Sequence, residues 1–453
     1  MGFLEALRAV LPVETDGDVV AARSADQAAW APVGKALALV RPADAEQVRR
    51  VVALCVEHRV PLVPRGAGTG LSGGANAVDG CVVLDLAGMD RVLEVDAAEQ
   101  LAVVQPGVVN DDLRRAVAGH GLWYPPDPAS SPWSTIGGNA ATNAGGICCV
   151  KYGVTRDYVL GLQVATGTGE LVRVGRRTRK GVAGYDLTGL LVGSEGTLGV
   201  ITEVTVRLLP LPAAAPRTIV GAFGALVDAG RAVAAVAASG LAPAALELVD
   251  RYCLRAVDDW KNMGLADLGD VLLLARSDTA DEREAARVQE LFDAAGAGWS
   301  TRSTDDAEAE ALFAARRLAY PALERLGPVL TEDVCVPRGA VPEMLGRIER
   351  TAAAHGVHIA NIAHAGDGNL HPLIVVPAGD AAARDRARRA FEEILDDAIA
   401  LGGTVTGEHG VGLLKRRGMR DELGAGALAL HRAVKDALDP AGVLNPGKVI
   451  GGG

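Results

Sequence analysis

The chain has 453 residues, more than one hydrophobic core usually supports, so its length predicts at least two domains. It carries 45 Lys and Arg against 56 Asp and Glu residues, and the net charge of −11 argues against nucleic acid or an anionic membrane as a general partner. Six cysteines without a CxxC pair indicate a reduced, cytoplasmic chain that does not itself ligate an iron–sulfur cluster. The first residues lack the apolar core of a signal peptide, and no stretch is typical of a membrane span.

The first two hundred residues predict alternating strands and helices. The stretch LALVRPADAEQVRRVVALCVEHRVPLVPRG (37–66) is typical of a strand, a helix that begins near Asp44, and a second strand. Four apolar side chains at helical spacing mark the helix face that we expect to be buried: Val48, Val51, Val52 and Cys55. CVVLDL and LAVVQPG predict strands, a helix passes through Leu113 and Val117, and GTLGVITEVTVRLLP returns to strand. Residues 124–146 are so rich in Gly, Pro, Ser and Asn that we predict a long loop there.

The second half begins after the proline-rich stretch LLPLPAAAPR (208–217), which is the best candidate for a linker. Strands are predicted at RTIVGAFG, ALELVD and DVLLLARS, with an alanine-rich helix after the first. A helix through Val288 and Leu291 and another strand follow. A mixed segment then runs from EDVCVP through HIANIAHAGDGNLHPLIVV to a helix at about 380–400, and the whole pattern is typical of an α+β domain.

Three glycine-rich stretches suit a phosphate-containing ligand: VPLVPRGAGTGLSGG (60–74), TIGGNAATNAGG (135–146) and GSEGTLGVIT (193–202). Glycines allow backbone N–H groups to converge on an anion because no Cβ blocks the approach. The first stretch is neither the GxGxxG of dinucleotide-binding folds nor the GxxxxGK[ST] of phosphate-binding loops. Taken alone it could equally be a flexible connection, whereas the three together indicate one extended ligand with a diphosphate.

The order and wording of these stretches resemble the flavoprotein family of vanillyl-alcohol oxidase type, and within it the FAD-linked oxidases and dehydrogenases of 2-hydroxy acids. The resemblance covers nearly the whole chain. It implies an α+β fold with a two-part FAD-binding domain at residues 1–210 and an α+β substrate (cap) domain with an antiparallel sheet at 211–405. Residues 406–453 would return to the flavin domain.

The same resemblance implies which residues bind FAD. Those expected to wrap the pyrophosphate are Arg65, Gly66, Ala67, Gly68, Thr69, Gly70, Ser72, Gly73 and Gly74. Those expected to line the other side and the isoalloxazine are Pro126, Asp127, Ser130, Thr135, Gly137, Gly138, Asn139, Thr142 and Gly146. Val200 and Ile201 would contact adenine or ribitol, and Asn445 would approach the flavin. Some relatives attach FAD through a histidine of the first stretch; this stretch has none, which implies non-covalent FAD.

Two histidines enclose the glycine-rich HAGDGNLH (364–371), whose glycines rule out a stable helix. A tight surface turn is the ordinary explanation of such a stretch, and a capped loop is that of TGEHGVG, which supplies Glu408 and His409. Together, His364, His371 and Glu408 make two imidazoles and one carboxylate, a set that suits a catalytic metal ion. The resemblance likewise implies a divalent ion (Zn, Mn or Fe) on these residues and His409 as the base.

These residues predict the oxidation of a small 2-hydroxy acid to the 2-oxo acid, and the resemblance implies an acid such as glycolate or D-lactate. The acid can chelate the ion through its hydroxyl and carboxylate, His409 takes the hydroxyl proton, and hydride passes from Cα to flavin N5. FAARRLAYPA (313–322) matches the arginine-bearing segment of the family, which implies that Arg316 binds the substrate carboxylate. A solvated helical arginine, or a role for the neighbouring Arg317, is the alternative. The family often has Trp before this arginine, where this chain has Phe313 and Ala314.

Other interpretations are a D-2-hydroxyglutarate dehydrogenase, a flavin-dependent transferase of the same fold, and an electron-relay subunit of a complex. Loss of HAGDGNLH would favour the transferase, and loss of the metal set would favour the relay subunit; both are intact. The expected electron acceptor is an iron–sulfur subunit, a quinone or an electron-transfer flavoprotein. We expect a cytoplasmic homodimer or hetero-oligomer, or a peripheral protein of the inner face of the membrane, without a nucleic acid partner.

Overall fold

A computed structural model describes residues 2–212, 216–303, 305–377 and 379–451, with the backbone alone for 306–310. The chain forms two compact units. The first unit contains Met1–Gly145, Val154–Leu211 and Glu408–Gly453, and the second contains Gly146–Gly153 and Pro212–Gly407. The chain therefore leaves the first unit twice and returns to it at its C-terminal segment. Within the described ranges, no helix combines the length and the apolar character that a membrane crossing needs.

One sheet of the first unit combines parallel strands with an antiparallel edge. Its strands are β1 (Val13–Glu14), β2 (Ala38–Val40), β3 (Leu62–Arg65) and β4 (Val82–Asp85). The order is β1-β2-β4-β3, with β1 antiparallel to β2 and the other pairs parallel. The helix Ala45–His58 connects β2 with β3, and its cap Asp44 accepts a hydrogen bond from Gln47 N (2.8 Å). Its four predicted core side chains are buried, which confirms the strand–helix–strand prediction.

A second sheet of the first unit is antiparallel throughout. In chain order, the strands that follow β4 are β5 (Val92–Asp96), β6 (Leu101–Val104), β7 (Leu122–Trp123), β8 (Val159–Ala165), β9 (Leu171–Gly175), β10 (Val200–Arg207) and β11 (Leu209–Pro210). The sheet order is β5-β6-β10-β8-β9, and β7 pairs separately with β11. The stretch 208–217, predicted as a linker, therefore begins with paired backbone, and its residues 213–215 lie outside the described residues.

The helices complete both units. They are α1 (Phe3–Arg8), α2 (Gly17–Ala21), α3 (Ala45–His58), α4 (Asn110–Ala118), α5 (Ile136–Thr142), α6 (Cys149–Tyr152), α7 (Leu187–Leu191), α8 (Leu226–Ala238), α9 (Arg251–Lys261), α10 (Glu282–Ala294), α11 (Asp306–Glu324), α12 (Val341–His355), α13 (Ala381–Ala400) and α14 (Arg416–Leu438). Of these, α6 and α8 to α13 belong to the second unit. α14 is interrupted at Gly424, where φ is 69°. Short 3-10 turns are Thr155–Asp157, Arg338–Ala340 and Ala365–Asp367.

Helix α5 contradicts the prediction of an uninterrupted loop over 124–146. Thr135 caps it by accepting a hydrogen bond from Gly138 N (3.3 Å). A Cβ on Gly137 would overlap Pro106, so close packing requires a glycine inside this helix. The prediction was wrong for these seven residues because packing against the rest of the unit outweighs the low helix propensity of glycine.

The second unit is built on one sheet in which all pairs are antiparallel. Its strands are β12 (Arg217–Phe223), β13 (Ala245–Asp250), β14 (Val271–Ser277), β15 (Trp299–Ser303), β16 (Val329–Thr331), β17 (Val334–Cys335), β18 (Ile359–His364) and β19 (Asn369–Val375). The order is β15-β12-β14-β13-β18-β19-β16, and β17 also pairs with β19. Apolar side chains of α9 and α11 pack with this sheet in one core, as the α+β prediction requires.

Candidate functional site

The first glycine-rich stretch leaves β3 at Arg65 and continues without regular secondary structure. Arg65 is buried, and its Nη1 donates a hydrogen bond to the carbonyl of Ala25 (2.6 Å). Gly68 and Gly73 have φ of 78° and 79°, a region in which a side chain is strained. The other predicted residues of the stretch are buried or half-buried: Gly66, Ala67, Thr69, Gly70, Ser72 and Gly74.

The second stretch lies against the first. A Cβ on Gly66 would overlap the Thr135 hydroxyl and come within 3.8 Å of Gly138 Cα. The preceding segment, which carries the predicted residues Pro126, Asp127 and Ser130, is fixed by α4 through a hydrogen bond from Asn110 Nδ2 to the Pro126 carbonyl (3.2 Å). Gly137, Asn139 and Thr142 lie on α5, and Gly146 belongs to the second unit.

The third stretch packs on α5. Gly193 N donates to the Ala140 carbonyl (2.9 Å), and Glu195 N donates to the Ala141 carbonyl (2.8 Å). The predicted residues that begin β10, both buried, are Val200 and Ile201. The three glycine-rich stretches therefore meet around one helix of the first unit.

Asn445 connects the first stretch with the third. It is buried, and its Nδ2 donates to the carbonyls of Gly74 (2.9 Å) and Glu195 (2.7 Å). Lys448 is also buried and donates through Nζ to the Asn76 carbonyl (2.5 Å). Burial lowers the pKa of Lys448 to about 8. In the structure, the side-chain amide of Asn445 thus donates its hydrogen bonds to two of the glycine-rich stretches, and its contact with a flavin stays a prediction.

Two buried donors in this region fit a ligand rich in hydrogen-bond acceptors. Arg65 Nε and Asn139 Nδ2 have no hydrogen-bond partner among the residues that the structure describes. A diphosphate and the carbonyl groups of an isoalloxazine are acceptors, and buried donors are rarely left unpaired in native proteins. The residues present therefore fit FAD, on two positions that the sequence assigned to it.

Both histidines of HAGDGNLH lie on one face of the second unit's sheet. His364 ends β18, and His371 pairs with Ile362 across the β18–β19 hairpin. Because Ile362 and His364 are two residues apart on a strand, they point to the same face, and so does His371. The two imidazoles are buried and meet edge to face, with ring centroids 5.2 Å apart. The prediction of a glycine turn between them is confirmed, but its histidines do not lie on the surface.

A buried carboxylate holds the first of these rings. Glu247, on β13 opposite His364, is fully buried, and its two oxygens lie 2.8 and 3.0 Å from His364 Nδ1. Oε2 also lies 2.9 Å from Arg316 Nε. One carboxylate thus faces an imidazole and a guanidinium away from water, where such contacts are strong.

A second carboxylate accompanies the other ring. Asp333 is fully buried, with Oδ1 3.6 Å from His371 Nδ1. It accepts hydrogen bonds from Asn369 Nδ2 (2.7 Å) and from the Thr406 hydroxyl (2.7 Å), which fix its orientation. Sequence reasoning missed both Asp333 and Glu247. The available signal was an acidic residue inside the apolar run ALELVD and another directly before the apolar VCV of EDVCVP.

Arg316 lies on α11 and is 5% exposed, whereas Arg317 is exposed. This burial contradicts the alternative of a solvated arginine at position 316. Glu408 and His409 begin the last segment of the first unit, with His409 Nε2 3.8 Å from Glu408 Oε1.

Comparison with known proteins defines the class. Residues 36–175 match the family model described as FAD binding domain, and residues 213–449 match that of FAD linked oxidases, C-terminal domain. The chain belongs to the FAD-linked oxidases: it is an oxidoreductase with an FAD-binding domain of vanillyl-alcohol oxidase type. The family, the fold class and the enzyme class predicted from the sequence are confirmed.

Two relatives and one solved structure are similar to the chain over most of its length. The chain is 41% identical over 417 residues to glycolate oxidase subunit GlcD of Bacillus subtilis, covering 91% of this chain and 88% of that one. It is 34% identical over 416 residues to the mitochondrial D-lactate dehydrogenase (cytochrome) of Arabidopsis thaliana, covering 91% of this chain and 73% of that one. Among solved structures, p-cresol methylhydroxylase with substrate bound is similar in fold, with a TM-score of 0.83 at 19% identity, covering 99% and 96%.

Proposed function

We propose that the chain oxidises a small 2-hydroxy acid, of glycolate or D-lactate size, to the 2-oxo acid with FAD and a divalent metal ion. The names of the two relatives, glycolate oxidase subunit and D-lactate dehydrogenase, support this substrate class. The observation that carries the proposal lies in the second unit. There, His364 and His371 are buried on one sheet face, each with a carboxylate on its Nδ1 side.

The donor set suits a metal ion. A carboxylate hydrogen-bonded to Nδ1, as Glu247 is to His364, orients a histidine and leaves Nε2 as the nitrogen that binds the metal. Glu408 is the third ligand, and the chain passes from the second unit to the first between Gly407 and Glu408. Two imidazoles and one carboxylate suit Zn, Mn or Fe and leave positions for a substrate. In this proposal residues 1–210 and 406–453 bind FAD, and 211–405 form the substrate domain.

The side chains divide the work. Arg316 binds the substrate carboxylate end-on through its two Nη groups, because its Nε faces Glu247. His409 accepts the hydroxyl proton, since imidazole is the side chain whose ordinary pKa suits this role near neutrality. When bound, FAD supplies the acceptor for a hydride from Cα, and the metal ion supplies a Lewis acid for the hydroxyl oxygen. The electrons pass to an acceptor other than NAD: an iron–sulfur subunit, a quinone or an electron-transfer flavoprotein.

The test separates metal ligation from proton removal at adjacent positions. His364→Ala, His371→Ala and Glu408→Gln are each expected to lower the bound divalent metal, measured by elemental analysis, while FAD absorbance remains. His409→Ala is expected to keep both and to reduce its flavin about 10²–10⁴-fold more slowly with the acid. A metal content unchanged in the first three variants would remove the metal from the proposal. Loss of metal only in His409→Ala would exchange the two roles.

The substrate class has its own experiment. Anaerobic bleaching of the flavin is measured with glycolate, D-lactate, L-lactate and D-2-hydroxyglutarate, and turnover is measured with an artificial dye as acceptor. Fast bleaching by the small acids supports the proposal. Bleaching by 2-hydroxyglutarate alone would favour the larger substrate, and bleaching by none would favour a transferase or relay subunit.

A further inference from the structure

The residues directly after His409, Gly410–Leu413, lie outside the regular helices and strands, and we call them the 410–413 turn. Gly410 and Gly412 both have positive φ, at 83° and 48°. A side chain is strained in that region, so both positions favour glycine. The turn begins one residue after the proposed base, and its position therefore limits where that imidazole lies.

A carboxylate of the third glycine-rich stretch holds one side of the turn. Glu195 Oε1 accepts a hydrogen bond from Val411 N (2.7 Å), and Oε2 accepts one from Gly412 N (2.9 Å). A Cβ on Gly410 would come within 2.8 Å of Oε1. Glu195 is itself buried on a backbone with φ of 51°. Two charge-assisted bonds from one rigid carboxylate fix both the position and the orientation of the turn.

A serine of the first glycine-rich stretch holds the other side. The Ser72 hydroxyl donates to the Gly410 carbonyl (2.8 Å), and the Ser72 carbonyl accepts from Leu413 N (2.7 Å). A Cβ on Gly412 would overlap that same carbonyl. Two of the stretches that the resemblance assigned to FAD thus enclose the turn that directly follows the proposed base.

We propose that Glu195 and Ser72 are positioning residues that hold His409 in the geometry for proton transfer by fixing the 410–413 turn. The proposal rests on the proposed function, which assigns His409 as the base. It adds that order in the FAD-binding stretches and order at the base depend on each other. A displacement of about 1 Å of a reacting group can cost about 100-fold in rate, so such a clamp has a measurable effect.

Burial of a carboxylate is expensive, which argues that this one does more than fill space. Burial raises the pKa of Glu195 to about 7, against an ordinary value of 4.5. A neutral glutamine of the same shape would avoid that cost, but its amide nitrogen could not accept a second backbone N–H bond. The acid is therefore suited to hold two adjacent amides at once.

A double-mutant cycle tests the proposal. In Glu195→Gln, kcat per bound FAD is expected to fall about 10–100-fold with KM changed less than about twofold. In the His409→Ala background, the same substitution is expected to change the residual rate by less than about twofold, because its route to the reaction has been removed. Ser72→Ala provides an independent, milder perturbation of the same turn. Glu203→Gln, on β10 of the same unit, is the matched control and is expected to keep wild-type kinetics.

Amide hydrogen exchange gives a readout that does not depend on activity. In the FAD-free protein, exchange at Val411 and Gly412 is expected to speed up in Glu195→Gln and to stay unchanged in Glu203→Gln. A slow His409→Ala together with fast Glu195→Gln and Ser72→Ala variants would overturn the positioning role and leave the proposed function standing. An equal fall of the rate in both backgrounds would also overturn it. A fast His409→Ala would instead refute the assignment of the base.

Discussion

Replacing Glu247 by glutamine is expected to weaken metal binding without unfolding the protein. The carboxylate lies 2.8 and 3.0 Å from His364 Nδ1 and 2.9 Å from Arg316 Nε. A glutamine keeps one oxygen for the imidazole but turns an amide nitrogen toward the guanidinium. Loss of the group that orients a metal-binding histidine typically lowers the affinity for the metal about 10–100-fold, or about 1.4–2.7 kcal/mol.

The complete removal of this carboxylate has a larger expected effect. Glu247→Ala leaves a buried guanidinium without its counter-charge, and such a loss typically costs about 3–5 kcal/mol of the free energy of unfolding. We therefore expect Glu247→Gln to separate the two roles and Glu247→Ala to combine them. The assay is a competition titration of Zn²⁺ against a chelating dye, paired with urea unfolding of the same metal-free samples.

A matched control lies in the same unit. Glu393 on α13 lies 2.7 Å from Nε2 of His355 on α12, at the surface. Glu393→Gln is expected to leave zinc affinity unchanged and to cost less than about 1 kcal/mol, as exposed ion pairs do. If Glu247→Gln bound zinc as tightly as the wild type while losing stability, Glu247 would be only the counter-charge of Arg316, and the argument for an oriented metal ligand would be refuted.

Further predictions concern the cofactor region and the substrate. Acid precipitation is expected to release yellow flavin into the supernatant, and flavin that stays in the pellet would show a covalent bond. Asn445→Asp places an acceptor against two carbonyls, so FAD affinity measured by fluorescence titration should fall at least about 10-fold. An unchanged affinity would show that the two hydrogen bonds of the Asn445 side chain are not needed for FAD binding. The pKa of Glu195 is higher in the folded than in the unfolded chain, so the folded chain binds more protons between pH 4.5 and about 7. As pH rises through that window, this group lowers the free energy of unfolding by about 3 kcal/mol. Urea unfolding of the Glu195→Gln variant should lack that decline. Arg316→Lys should raise KM for the acid. Normal kinetics in that variant, together with a large loss of activity in Arg317→Lys, would instead assign the binding of the substrate carboxylate to Arg317.

Local patterns predicted the elements whose determinants are local. Helix α3 follows from apolar spacing and an Asp cap, both visible within fifteen residues. The three glycine-rich stretches were found because each contains positions of positive φ, such as Gly68, Gly146 and Gly193, and these favour a residue type that is easily seen in a sequence. Helix α5 was missed because close packing against Pro106 requires a glycine at position 137, and no local pattern encodes that contact.

The supporting carboxylates were missed for the same reason. Glu247 is 117 residues from the histidine that it orients, and only the sheet register brings them together. Glu195 is more than two hundred residues from the amides that it binds. Sequence reasoning therefore located the groups whose chemistry is unusual, and the structure supplied those that act by holding them.

The return of Glu408–Gly453 to the first unit has a consequence for how the protein is made. Asn445 N pairs with the Leu62 carbonyl of β3, and its side chain closes the two glycine stretches. A ribosome has to add all of Pro212–Gly407 before that residue exists, which takes roughly 10–40 s at 5–20 residues per second. During this interval the nascent first unit lacks Asn445 and the two hydrogen bonds that its side chain donates. If FAD affinity depends on this closure, as the Asn445→Asp prediction expects, full-affinity binding of FAD follows translation.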